Sequence, residues 1–242
     1  HSPRVTTPSK QSRAGTGKGI RAATRVGAGI FVSRVLGFVR DRVFAHYFGS
    51  SDFADVWRAA LRLPNVIRNL LGEGTLSASM IPVYSEFVGK GEEEKAKRFA
   101  GAVLGLLAVV SGAIALAGVL VAPLLVQAFF PKWTPEKQEI TTTLVRILFP
   151  MSGIFVLAAW AMGVLDSHRR FFVSYVAPAF WNVALIGVMV AGGMFWGLGQ
   201  RDLVVVLAWG ALAGGFVQLG IQASAALKHL PGLRPSLDRN AP

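Results

Sequence analysis

The chain has 242 residues, no cysteine and a formal charge of +12, yet only 16% of it is charged while 52% is hydrophobic. Soluble domains carry about 25% charged residues, so this composition excludes an ordinary soluble domain. The lack of cysteine excludes a disulfide framework, a thiol nucleophile and a thiolate metal site. Apolar residues come in long runs, as at 101–130, and about 20 residues at 1.5 Å rise cross the ~30 Å hydrocarbon core. The expected fold class is therefore all-α, a polytopic transmembrane helical bundle.

In chain order, residues 1–26 are polar, basic and free of apolar periodicity, which predicts a disordered cytoplasmic tail. They lead into no short apolar core with a cleavage site, so no signal peptide is expected. GTGKG at 15–19 lacks the spacing, the closing Ser/Thr and the preceding strand of a phosphate loop. The chain opens on His1 rather than Met, and a processed form or fragment is the expectation.

Six spans follow at roughly 27–48, 53–87, 99–130, 141–165, 172–196 and 203–227. They make one membrane unit over 27–230, with 231–242 as a cytoplasmic connection. The second span is too long to be straight; Pro64 removes a backbone donor and predicts a kink, with Gly72 and Gly74 as further loosening points. GEEEKAKR at 91–98 reads as a short solvated turn with i,i+4 pairs Glu93–Lys97 and Glu94–Arg98. The pairs Gly101/Gly105, Gly193/Gly197 and Gly210/Gly214 suit close helix packing. The six tryptophans read as interfacial or packing residues, and Pro178 and Asn182 as packing residues or, alternatively, a local break in the fifth span near the cavity that the charges of the first two spans imply.

Loop charge sets the orientation. With the N-terminus inside, inner segments hold fifteen Lys and Arg, and outer loops hold only Lys132, Lys137 and Arg201. Both termini are therefore expected in the cytoplasm. Much of the +12 is this loop and tail charge. Nothing presents a groove or stacking platform for nucleic acid. The histidines at 1, 46, 168 and 229 form no catalytic or metal-ligand motif, so no enzyme, cofactor or metal is expected.

What remains is charge inside the first two spans. A charged side chain at the bilayer centre costs about 2.5–3.5 kcal/mol on insertion scales. Arg34 and Arg40 flank the midpoint of the first span, while Arg42 and His46 lie near enough to its end to snorkel. On a helical wheel at about 100° per residue, Arg58, Arg62, Asn65 and Asn69 fall on one face of the second span, with Asp55 and Glu73 at its edge. Val56, Ala60, Leu63 and Ile67 make the opposite face, which reads as lipid-like. Arg34 and Asp41 share a face at i+7. Five arginines (34, 40, 58, 62, 68) meet three acids (Asp41, Asp55, Glu73), and uncompensated positive charge in low dielectric needs water or an anion. Guanidinium suits phosphate because its planar fork gives paired hydrogen bonds and stays protonated. The residues point to a cationic cavity for an anionic, phosphate-bearing ligand, the alternative being pairing with Asp41, Asp55 and Glu73 that only holds the helices together.

The stretch 33–87 carries S-R-V-L-G-F-x-R-D, F-G-x-x-x-x-x-D, R-L-P-N-x-x-R, E-G-x-x-S and I-P-V-Y-x-E. It resembles the first two helices of the MurJ/MviN lipid II flippases of the multidrug/oligosaccharidyl-lipid/polysaccharide exporter superfamily. PMSGIF at 150–155 and GVLDSHRRF at 163–171 extend the likeness. The resemblance implies one six-helix lobe of a two-lobe alternating-access transporter. Its function would be to move lipid II, an undecaprenyl-pyrophosphate-linked precursor, to the outer leaflet of the bacterial inner membrane, with membrane lipids and a second lobe as partners. It implies that Arg34, Arg40 and Arg68 contact the head group, with Arg62 and Asn65 beside them. Asp55, Asp41 and Glu73 would gate or orient the arginines. Arg58 departs from the usual apolar residue, and Arg62 stands where lysine is common. Other readings are an exporter of a different polyprenyl-linked glycan or small molecule, and a non-transporting scaffold for cell-wall assembly.

Overall fold

The structure is a computed structural model that describes residues 10–69, 71 and 79–236, with side chains described from residue 27 onward except 67 and 68. Its described helices are α1 (Lys10–Phe48), α2 (Asp52–Arg68), α3 (Ile81–Gly89), α4 (Glu93–Phe129), α5 (Pro135–Ser167), α6 (Phe171–Val190) and α7 (Gln200–Leu227). A π-helical turn, Ala191–Phe195, extends α6. Four of these helices are long and apolar enough to cross a membrane: α4, α5, α6 with its π turn, and α7. The first two expected spans, α1 and α2–α3, are not among these four.

Helix α5 is the centre. It packs against α4, α7 and α2, while α6 packs on α7, and α1 on α6. In its most apolar window 72% of α5 is buried, against 28% for α4. On α4, Leu116, Leu120 and Leu124 are each more than 60% exposed, a lipid-facing stripe. Apolar lipid gives little driving force for helix association, so close packing at small residues must supply it. Phe149 of α5 sits against Gly118 of α4, and Val188 and Trp181 of α6 sit against Gly210 and Gly214 of α7.

The boundaries differ from the sequence reading in instructive ways. α1 begins at Lys10, inside the stretch read as a tail, because a helix already formed propagates at little cost compared with nucleation. The second span is two α-helices; α2 runs through Pro64 to Arg68, and Gly72 and Gly74 lie outside the described residues. The acidic-basic stretch at 93–98 is the first turn of α4, where Glu93 and Glu94 suit the positive end of the helix dipole. There Lys97 pairs with Glu94 at 2.8 Å, three residues away, and not with Glu93.

Two glycine pairs also serve differently. Gly101 and Gly105 face the extended segment 233–236, not a helix, and the Ser236 N–H donates to the Gly101 carbonyl at 3.1 Å. Gly193 takes the Tyr47 ring, while Gly197 is a turn residue at φ +61°. Finally, Val56 and Ala60 on the apolar face of α2 are 1% and 0% exposed within the core. That face packs toward α5 instead of lipid.

Candidate functional site: a cleft between two arms

Helices α1 and α2 flank the α5–α6–α7 layer and meet at a tight turn. Gly49 ends α1 at φ +55° with its N–H on the Ala45 carbonyl at 2.9 Å. Beside the turn the Phe44 ring lies 4.7 Å from Phe48 and 6.2 Å from Trp57, closing that end. Gln200 Nε2 donates to the Tyr47 carbonyl at 2.7 Å, satisfying a backbone acceptor in the last turn of α1.

What seats α1 on α6 is a run of small residues spaced by four: Gly29, Ser33 and Gly37. A Cβ at Gly29 would stand 3.3 Å from Val176, and one at Gly37 would stand 3.9 Å from the Asn182 amide. The Asn182 Nδ2 donates to the Ser33 carbonyl at 3.5 Å. Close approach of the two backbones delivers the next turn of α1, with Arg40, to Asn182.

A cavity of about 570 Å³ lies between the arms. Its polar and aromatic lining comes from Arg40, Asp41, Trp57, Arg58, Asn65 and Trp181, over an apolar floor that includes Met151 and Leu207. Arg40 is the best-fixed charge. Its Nη2 and Nε donate to Asp41 Oδ1 at 2.7 and 3.1 Å, and its Nη1 donates to Asn182 Oδ1 at 2.9 Å. Its guanidinium carbon also stands 5.4 Å from the centre of the Trp181 ring, a cation–π distance. Trp181 is held in turn by its Nε1 donating to the Ala211 carbonyl at 3.0 Å and by Phe155, edge-on at 5.8 Å. A second cavity of about 320 Å³ shares Arg40 and Trp181, and brings in Asn182, Gln218 and Gln222.

The sequence-derived residues divide on this map. Arg40, Asp41 and Asn65 line the larger cavity, as does Arg58. Arg34 and Arg62 are exposed, line neither cavity, and form no ion pair among the described residues. Arg34 shares the Asp41 face of α1, two turns away, but Asp41 is taken by Arg40 and not by Arg34. Asp55 lies at the turn end of α2, where Lys137 Nζ bridges Asp55 and Asp52 at 3.2 and 2.8 Å, and Arg58 stands 3.6 Å away. The side chain of Arg68 and all of Glu73 lie outside the described residues.

Sequence reading missed four contributors. Asn182, read as packing, is a hydrogen-bond acceptor for Arg40. Trp57 and Trp181 line the cleft. Lys137, read as loop charge, caps two acids on α2 and lies 4.4 Å from the centre of the Trp133 ring. The four-residue spacing of Gly29, Ser33 and Gly37 was the available signal for the first of these, since it points α1 at a close neighbour.

Comparison with known proteins decides the family. The family model described as lipid II flippase MurJ matches residues 44–242. The chain belongs to the lipid II flippase MurJ family. A probable lipid II flippase MurJ from Rhizobium meliloti is 35% identical over 208 residues, covering 84% of this chain and 38% of the relative. The lipid II flippase MurJ of Burkholderia cenocepacia is 30% identical over 216 residues, covering 88% and 40%. The chain thus spans about two fifths of the length of these curated relatives.

Among solved structures, lipid II flippase MurJ in an inward closed conformation superposes with a TM-score of 0.63 at 22% identity, over 85% of this chain and 45% of that one. A MOP superfamily transporter from Pyrococcus furiosus gives 0.69 at 14% identity, over 91% and 48%. These likenesses show a MOP transporter-like fold. MurJ flippases are multi-pass inner-membrane transporters and not catalysts of a chemical reaction, and the apolar helices α4 to α7 suit membrane insertion.

Proposed function

We propose that this chain is the N-terminal lobe of a transporter that flips lipid II from the inner to the outer leaflet by alternating access. The cleft between α1 and α2 holds the pyrophosphate head group, and a second lobe supplies the facing wall. In this reading six spans cross the membrane, α1 and α2–α3 being the first two, and both termini face the cytoplasm. The observation that carries it is Arg40, held by Asp41, Asn182 and Trp181 at the wall of a 570 Å³ cavity that also exposes Arg58 and Asn65. Preorganised guanidinium of this kind suits phosphate oxygens.

Arg34 and Arg62, unpaired among the described residues, flank the cavity on its two arms and widen the cationic surface. Asp55, tied to Lys137 at the turn end, latches α2 to α5, and opening that latch would let the arms part. Charged groups inside a membrane protein characteristically face such a water-filled path, and rocking of two lobes about a central site is the general mode for repeat-built transporters.

The test is rescue of a flippase-depleted bacterium by the full-length protein and its Arg40→Ala variant, matched for membrane abundance. Rescue by the native protein and failure of the variant is the expected result. A scaffold that only recruits assembly partners would leave both able to rescue, and that outcome removes the transport reading.

A further inference from the structure

A third cavity, of about 460 Å³, lies away from the cleft, where the C-terminal ends of α5 and α7 meet the start of α6. Its lining is Leu165, Val173 and Ala225 within, and Arg170, Lys228 and His229 around it. No acidic residue is part of that lining. Arg170 and Lys228 are exposed and form no ion pair among the described residues. Arg170 is also the N-cap of α6, and its side chain makes no capping bond, so the first N–H groups of that helix add positive potential to the same place. Beside the cavity Phe172 is 51% and Leu227 45% exposed.

Positive potential here reaches a neighbour. The His168 ring stacks on His229 at 4.3 Å and bonds to the Tyr84 hydroxyl at 2.9 Å. Burial first, then the charges of His229 and Arg170, hold His168 below its ordinary value, with Glu93 opposing them.

We propose that this cavity binds the phosphate diester of an anionic glycerophospholipid, with Arg170 and Lys228 on the phosphate and the acyl chains running along Phe172 and Leu227. An apolar hollow rimmed by cations that are unpaired among the described residues, at the end of spanning helices, matches both halves of such a molecule. Basic pockets between helices at the membrane surface are a general means of holding anionic head groups. A zwitterionic lipid would bring a choline or ethanolamine cation against the same rim, so the site discriminates by charge. It needs no contribution from the α1–α2 cleft, and it stands or falls apart from the flippase reading.

The experiment places p-benzoylphenylalanine at position 172 of the full-length protein, reconstituted in phosphatidylglycerol or phosphatidylcholine vesicles, and measures the lipid adduct by mass spectrometry after illumination. Each surface cation contributes on the order of fivefold in affinity for anionic lipid. The expected result is roughly tenfold or more adduct with phosphatidylglycerol, falling to near parity in Arg170→Gln/Lys228→Gln and unchanged in Lys90→Gln. The phosphatidylcholine adduct of the double variant reports that it is folded. Equal adduct from both lipids in the native chain, or a preference that survives the double substitution, overturns the proposal. So does loss of the preference in the presence of millimolar inorganic phosphate at constant ionic strength, which would make this a free-phosphate site.

Discussion

Helices α5 and α1 solve opposite problems with the same alphabet. α5 is buried on several sides, and its long inward list, from Ile140 to Leu165, is apolar apart from hydroxyls such as Thr141 and Ser152. Those hydroxyls bond to carbonyls of their own helix, Lys137 at 2.7 Å and Phe149 at 2.6 Å, so they place no demand on neighbours. α1 instead packs mainly on α6 and leaves Arg34, Asp41 and Arg42 exposed. One helix holds the bundle together, and the other presents charge. Stability and recognition are therefore separable in this fold, and substitutions on the two helices should report on different quantities.

The strongest test of that separation is Leu148→Ala, at a position with no exposure on α5. Emptying a buried leucine site costs about 2–5 kcal/mol, so the thermal midpoint in detergent should drop sharply. Arg40→Ala should reverse the balance: it should abolish rescue in the depleted strain while the thermal midpoint falls less than in Leu148→Ala. A large loss of stability there would show that α1 is structural after all.

Asn182→Ala sharpens the comparison, because it leaves Arg40 its carboxylate but removes the bond across to α6. A hydrogen bond to a charged group is worth about 1.5–3 kcal/mol where buried. The expected outcome is a severalfold loss of transport rather than abolition, read in a head-group flipping assay.

The smallest effects lie at the two ends. Lys137→Gln breaks the bridge to Asp52 and Asp55, whose side chains are 80% and 53% exposed. It should cost less than about 1 kcal/mol, while altering the balance between inward and outward states seen by distance measurements. At the other end His168 is held below its ordinary value of 6.5. The unfolded chain then takes up this proton more readily than the folded one, so the neutral ring's contribution is complete above 6.5 and is lost as pH falls below it. Faster amide hydrogen exchange around residues 165–171 at pH 5.5 than at pH 7.5 would show this, after correction for intrinsic rates.

Much of the fold was legible because a bilayer leaves few options. Spans read from hydropathy alone fall within α4, α5 and α7 or miss an end by a residue, since long apolar runs admit one reading. The charged face of α2 was equally visible from its wheel. The opposite face was misjudged for a physical reason: in lipid, buried and lipid-facing residues are both apolar. Val56 and Ala60 could not reveal whether α5 or hydrocarbon lay beside them. The small-residue seam Gly29–Ser33–Gly37 shows which signal does discriminate, since only a backbone contact needs the missing side chains. Asn182 stayed hidden because its partner lies 142 positions away, and no local pattern encodes that distance.

Counting hydrogens on Arg40 leads somewhere further. A guanidinium carries five donors; Asp41 occupies two and Asn182 one, so one hydrogen on each terminal nitrogen is left over. An incoming anion finds a two-pronged handhold, and any tighter embrace must evict Asp41, whose side chain is 68% exposed and free to swing back. On the proposed function, that rivalry would limit how long cargo stays, so the same acid that steadies the empty site would hasten unloading.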